Sequence, residues 1–162
     1  MEEIKHAIQD EYPDNFAKCY GCGRLNKDGL HVRTGWEGDN TVSYYTPREN
    51  EIAVEGVVYG GLIASIIDCH GIGSAALAFH RKNGHEPGDG VDAPRFVTAS
   101  LHIDYLKPTP HGVTLKLVSE VEEVHPKRFI AHTELIADGE ICAKGEVVAA
   151  MMPESFLDME NR

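Results

Sequence analysis

The chain has 162 residues, 42% of them apolar, which is enough for one domain with its own core and too few for two ordinary ones. Its formal net charge of -11 disfavours nucleic acid as a partner, because such binding draws on Lys and Arg to neutralise phosphates. The opening MEEIKHAIQDEYP is polar and charged, and no run approaches the roughly 18 consecutive apolar residues of a membrane span, so a cytoplasmic address without a membrane partner is expected.

Ile4, Ala7, Ile8 and Glu11 have helical spacing and Pro13 closes the segment, which predicts a short N-terminal helix. The following CYGCGRLNKDGL, dense in Gly, Asn and Asp, reads as an irregular connection, so residues 1–29 precede the main body of a single domain. Two β-rich runs, 30–38 and 41–47, flank Asp39 and Asn40, a pair suited to a tight hairpin turn. Residues 59–80 contain no proline and few β-branched residues outside their isoleucines, and this is the one long helix. A polar, Gly- and Pro-rich loop follows over 81–94, and four strand-like runs come after it: 96–106, 113–124, 129–137 and 141–151. Asp138 and Gly139 supply the turn of the last hairpin, and 153–162 form a tail. Consecutive hairpin-linked strands and one long helix imply an α+β fold, an antiparallel sheet packed on that helix. Strict alternation along the first strand after the loop sends Val97, Ala99, Leu101, Ile103 and Tyr105 toward the helix and Thr98, Ser100, His102 and Asp104 away from it.

Four cysteines, Cys19, Cys22, Cys69 and Cys142, are expected to be free thiols, since a domain with its own core needs no covalent staples. Cys19 and Cys22 form a CxxC pair. A zinc site would need two further ligands, and no second CxxC or HxxxH pair follows at finger spacing; Cys69, Cys142 or a histidine would have to be brought there by the fold. The expectation is no metal and no cofactor.

Asp68 stands in the middle of an otherwise uncharged run from Tyr59 to Phe79, although Asp favours caps and turns over helix interiors. At 100° per residue Gly61, Ala64, Ser65, Gly71, Ile72 and Ala75 fall within about 60° of it, a stripe of mostly small residues beside which a slender ligand fits. Either Asp68 lies on a solvated face, or it is a carboxylate at a pocket wall whose partial burial improves it as a base; the shortage of other polar side chains on this helix favours the pocket. Two turns earlier Tyr59, Gly60 and Gly61 open the helix. Backbone N–H groups there lack partners and glycine leaves room for a carbonyl oxygen, although the two glycines equally suit a purely structural opening turn. Tyr59, Gly61 and Ser65 are candidates for contact with a substrate. Lys127 and Arg128 beside the turn at Pro126, and Arg81 and Lys82 at the helix end, are candidate phosphate contacts or solvated loop charges. His70, His102 and Asp104 are expected to be structural or interfacial.

The segment YGGLIASIIDCHGIGSAALA resembles the helix signature, roughly HGGxxxxxxD, of the hotdog-fold thioesterases of the phenylacetate-degradation and four-hydroxybenzoyl-CoA type. The order of elements agrees over nearly the whole chain, and CYGCGRLNKDGL resembles a segment found in one branch of that group. The resemblance implies a long helix wrapped by a curled antiparallel sheet of five to six strands, working as a homodimer or homotetramer, and an acyl-CoA substrate. Carried over by position, the family's carboxylate falls on Asp68 as general base or nucleophile, its oxyanion donor on the Gly60 amide, and a water-orienting strand hydroxyl on Thr98. Tyr59 stands where the signature has His, and the Asn found in some members falls on Ala53, which leaves that role without a residue. Two other readings remain: a hotdog hydratase or dehydratase, which needs a histidine that the Asp68 stripe lacks, and a non-catalytic acyl-CoA-binding module.

Overall fold

The computed structural model describes residues 3–156. Its elements in chain order are β1 (Gly35–Glu37), β2 (Asn40–Tyr45), β3 (Ile52–Val54), β4 (Val57–Val58), α1 (Gly60–Lys82), β5 (Phe96–Tyr105), β6 (Leu115–His125), β7 (Arg128–Ala137) and β8 (Glu140–Met151). Six strands form one antiparallel sheet in the order β1-β2-β6-β7-β8-β5, with α1 packed on it, while β3 and β4 form a separate small hairpin. This is the hotdog architecture that the sequence resemblance implied.

The core lies between α1 and the sheet. Ile66, Ile67 and Leu77 from the helix are fully buried against Leu115, Leu117, Leu135 and Val147. Helix and sheet approach closely because each supplies a glycine at the contact. A Cβ on Gly71 would lie 2.5 Å from Val147, and one on Gly145 would lie 2.4 Å from Ile67. Toward the C-terminal end of α1, Phe79, Phe96 and Phe129 meet edge to face with ring centres 5.6–6.4 Å apart. At 23 residues and a mean hydropathy of 1.6, α1 has the length and composition of a membrane-crossing helix, which a count of consecutive apolar residues did not suggest, yet 67% of that stretch is buried inside the protein. Asp138 and Gly139 both have positive φ (50° and 76°), as the two central residues of a tight hairpin turn require.

Three sequence expectations need correction. The N-terminal helix shrinks to short 3-10 turns at Ile8–Glu11 and Asp14–Phe16. So short a segment gains little from helix formation on its own, and here its polar groups bond to the chain near residue 34: the Ile8 amide donates to the Thr34 carbonyl, and the Gln9 side chain bonds both the Thr34 hydroxyl and amide. The expected strand at 30–38 is reduced to β1. His31 adopts φ 56°, and the Leu30 and Val32 amides donate to the Tyr20 and Gly21 carbonyls of the preceding connection, so these residues pair with a loop instead of the sheet. The β3/β4 hairpin was not expected; it turns at Gly56, whose φ of 81° suits a residue without a side chain. Part of the 153–162 tail lies outside the described residues.

Candidate active site

Asp68 sits mid-helix, half-buried, and its Oδ1 accepts a hydrogen bond of 2.6 Å from the Thr98 hydroxyl on β5. Strict alternation turned Thr98 away from the helix; the structure turns it inward. The register between β5 and β8 slips at Ala99: Thr98 pairs with Ala149, but Ser100 pairs with Val148. This bulge puts Phe96 and Thr98 on the same face as Leu101, Ile103 and Tyr105, and moves Val97 and Ala99 off the expected face. Burial holds the Asp68 carboxyl above its usual range, the Thr98 hydrogen bond partly offsets that, the nearby Cys19 adds to it, and Arg95 opposes it. A half-buried carboxylate with raised proton affinity is a better base than a solvated one.

At the start of α1, Tyr59 is the extended N-cap and its side chain makes no capping bond. The Leu62 and Ile63 amides both turn back to the Tyr59 carbonyl. The Gly60 and Gly61 amides precede them in the first turn, where no helical acceptor exists. The Tyr59 ring folds over Gly61, since a Cβ there would come within 2.5 Å of it. The Tyr105 hydroxyl donates to the Gly60 carbonyl at 2.6 Å. Both phenols are more than half exposed, and beside them opens a cavity of about 360 Å³ lined by Val57, Gly60, Ile63, Tyr105, Leu106 and Pro108. The Ser65 hydroxyl is engaged by the helix itself, donating to the Gly61 carbonyl at 2.8 Å.

Gly60 and Asp68 are eight residues apart on one helix, a rise of about 12 Å at 1.5 Å per residue. Within one protomer they cannot touch the same carbonyl group. Lys127 and Arg128 lie at the β6–β7 turn beside Met151, whose strand partner is Phe96, at the end of β5 opposite the Tyr105 and Gly60 end. The candidate phosphate contacts on α1 already have partners: Arg81 pairs with Glu86 and stacks on Trp36, and Lys82 pairs with Glu123. His102 and Asp104 pair with each other in an exposed position, and His70 is fully buried.

One grouping was weighed in the sequence and not expected to form. The fold carries Cys69, next to Asp68, onto the CxxC pair, so that the Cys19, Cys22 and Cys69 sulfurs all lie within 4.8 Å of one another. Hydrogen bonding from Cys22 and Cys69 holds the Cys19 thiol well below the usual thiol range, while donating to Cys19 and burial push Cys22 up to about 12. The CxxC pair was the visible signal; its third member stands 50 residues away in the chain.

A family model described as the thioesterase superfamily matches residues 55–144, more than half of the chain. The chain belongs to the thioesterase superfamily. A thioesterase superfamily protein from Shewanella loihica is 41% identical, with 86% of this chain and 98% of that chain covered and a TM-score of 0.65. More distant structures share the fold. A thioesterase from Haemophilus influenzae is 13% identical (85% and 94% covered, TM-score 0.61), and a phenylacetic acid degradation-related protein from Ralstonia eutropha is 18% identical (75% and 86% covered, TM-score 0.58). No match is found among curated proteins. Membership of the thioesterase superfamily supports thioester hydrolysis as the general activity.

Proposed function

We propose that this protein hydrolyses acyl-CoA thioesters to the free acid and coenzyme A, with Asp68 as general base. The observation that carries this reading is the half-buried Asp68 carboxyl, raised in proton affinity and oriented by Thr98 at an open face of the fold. Asp68 takes a proton from water as the water oxygen attacks the carbonyl carbon. When the resulting tetrahedral intermediate collapses, the C–S bond breaks, and the proton passes to the departing thiolate. The oxyanion needs a donor that Asp68's own protomer supplies only about 12 Å away along the helix.

A second copy meets that need. β5 is an edge strand of ten residues, and such a long unpaired edge is a ready site for strand addition. A two-fold dimer that pairs β5 with its copy runs the strands antiparallel, bringing the Thr98 end of one beside the Tyr105 end of the other. Asp68 then faces Gly60 of the partner subunit, whose amide serves as oxyanion donor. The acyl group enters beside Tyr59 and Gly61. The homodimer, or a homotetramer built from it, is the working unit in this reading.

The test is release of free thiol from a panel of acetyl-, hexanoyl-, palmitoyl-, benzoyl- and phenylacetyl-CoA. At least one should be turned over, and Asp68→Asn should abolish most of that turnover. Undiminished turnover in Asp68→Asn would overturn the assignment. So would saturable acyl-CoA binding without hydrolysis, which fits a binding module, or hydration of an enoyl-CoA in place of hydrolysis.

A further inference from the structure

We propose that Cys19, Cys22 and Cys69 form a three-thiolate zinc site that clamps the N-terminal connection onto the turn of α1 carrying Asp68. Four observations converge on it. First, the spacing fits. Two thiolates on one tetrahedral zinc, each about 2.3 Å from the metal, stand about 3.8 Å apart; the Cys19 and Cys69 sulfurs are 3.9 Å apart and all three sulfurs lie within 4.8 Å.

Second, the backbone around the pair is shaped to hold sulfur. The Gly21 and Cys22 amides both donate to Cys19, and the Gly23 amide closes the turn on the Cys19 carbonyl at 2.7 Å. A Cβ on Gly21 would lie 2.1 Å from the Cys69 sulfur, and one on Gly23 would lie 2.5 Å from both the Ala17 carbonyl oxygen and the Cys19 nitrogen. Glycine at both positions lets the turn close and lets Cys69 reach it.

Third, two buried polar atoms near the sulfurs have no hydrogen-bond partner among the described residues: the Tyr12 hydroxyl and Arg95 Nη1. Tyr12 is almost wholly buried, and the Arg95 charge acts on Tyr12 and on all three cysteines. A buried donor without an acceptor is costly, and the Arg95 guanidinium, 5.2 Å from the centre of the Tyr12 ring, is favoured by a further negative charge beside it. Three thiolates on one zinc ion leave the cluster with a single net negative charge beside that guanidinium.

Fourth, the donor set is selective. Soft thiolates favour zinc over magnesium or calcium, and three protein ligands are a recognised zinc arrangement whose fourth position goes to a small ligand such as water. Among the described residues no further His, Cys, Asp or Glu joins the group. Cys19, which is partly exposed, leaves solvent access for that ligand.

The full chain, purified without chelators or nickel columns, should contain one equivalent of zinc by mass spectrometry of the metal. After removal and replacement by cobalt chloride it should show thiolate-to-cobalt charge-transfer absorption and tetrahedral visible bands. Cys19→Ser, Cys22→Ser and Cys69→Ser should each lose the zinc, whereas Cys142→Ser should keep it. Absence of both zinc uptake from zinc chloride and the cobalt bands in the folded wild-type chain would overturn the proposal, whatever the variants do. So would full zinc retention after all three substitutions, or a disulfide between two of the three in chain purified and kept under thiol reductant. Thioester turnover is read separately, so a failed zinc test leaves the hydrolase reading standing and the reverse also holds.

Discussion

On the side of α1 turned toward β2 and β6, the polar groups are buried and answered one for one. His70 Nδ1 meets Ser43 Oγ at 2.7 Å and its Nε2 meets Ser119 Oγ at 2.7 Å. Ser119 continues to Thr133 at 2.6 Å, Ser43 to Thr34 at 3.1 Å, and Ser74 to Thr41 at 2.6 Å. Around Asp68 and Cys69 the accounts stay open: a carboxyl with one hydroxyl donor, three sulfurs facing one another, and a buried Tyr12 hydroxyl and Arg95 Nη1 that make no hydrogen bond. Both regions place polar atoms inside an apolar shell, yet only the second keeps unused bonding capacity. Hydroxyls rotate to serve either tautomer of a neutral imidazole, so the His70 network can be fully satisfied without charge and serves to fix the helix on the sheet. Spare capacity next to a raised carboxyl is what a reacting or binding partner would fill.

The sharpest break of this contrast is Asp68→Asn. Its expected cost is about 10² to 10⁴ in kcat, the usual worth of a positioned base, while the unfolding midpoint stays level or rises because a charge penalised by burial is gone. His70→Leu should do the opposite: it removes one of the two partners of the Ser43 and of the Ser119 hydroxyl, leaving only Thr34 and Thr133, and should cost about 3 kcal/mol of stability in urea unfolding, with kcat of the folded protein unchanged. Acid extends that prediction. Burial lowers His70 to about 3, so the folded state resists protonation of a group that the unfolded chain protonates near 6.5. The stability this provides is intact above about pH 6.5 and drains away as pH falls toward 3, by about 2 kcal/mol between pH 6.5 and 5. His70→Asn should flatten that slope in urea titrations. Thr98→Val sharpens the Asp68 side. It removes the one bond that favours the charged form, so the acid limb of the rate profile should move to higher pH and kcat at neutral pH should drop by about 10-fold, equivalent to one ordinary hydrogen bond. Smallest of all, Tyr105→Phe deletes the bond to the Gly60 carbonyl and should lower stability by about 1 kcal/mol.

Much of this organisation is written in local patterns. The long helix, the four strands after the loop and the Asp138–Gly139 turn follow from residue spacing and turn chemistry, and Asp68 stood out because nothing else on its helix was charged. What stayed hidden depended on distant contacts. Leu30 and Val32 have strand-forming side chains, but their amides found acceptors in the loop at Tyr20 and Gly21, and no periodicity carries that information. Thr98 was placed on the wrong face because a single extra residue at position 99 is indistinguishable from its neighbours in the sequence. The Cys69 sulfur met the CxxC pair only because Gly21 carries no side chain to stand between them.

That extra residue has a consequence for how this strand tolerates change. Removing Ala99 would take out the unpaired residue alone and leave plain two-residue alternation along β5, with Thr98 still opposite Ala149 and Ser100 still opposite Val148. Both halves of the strand would keep their present faces. A deletion of one amino acid there would thus leave the Thr98 hydroxyl aimed at the carboxyl, whereas removing Ser100 as well would put the two halves out of step and turn Phe96 and Thr98 outward.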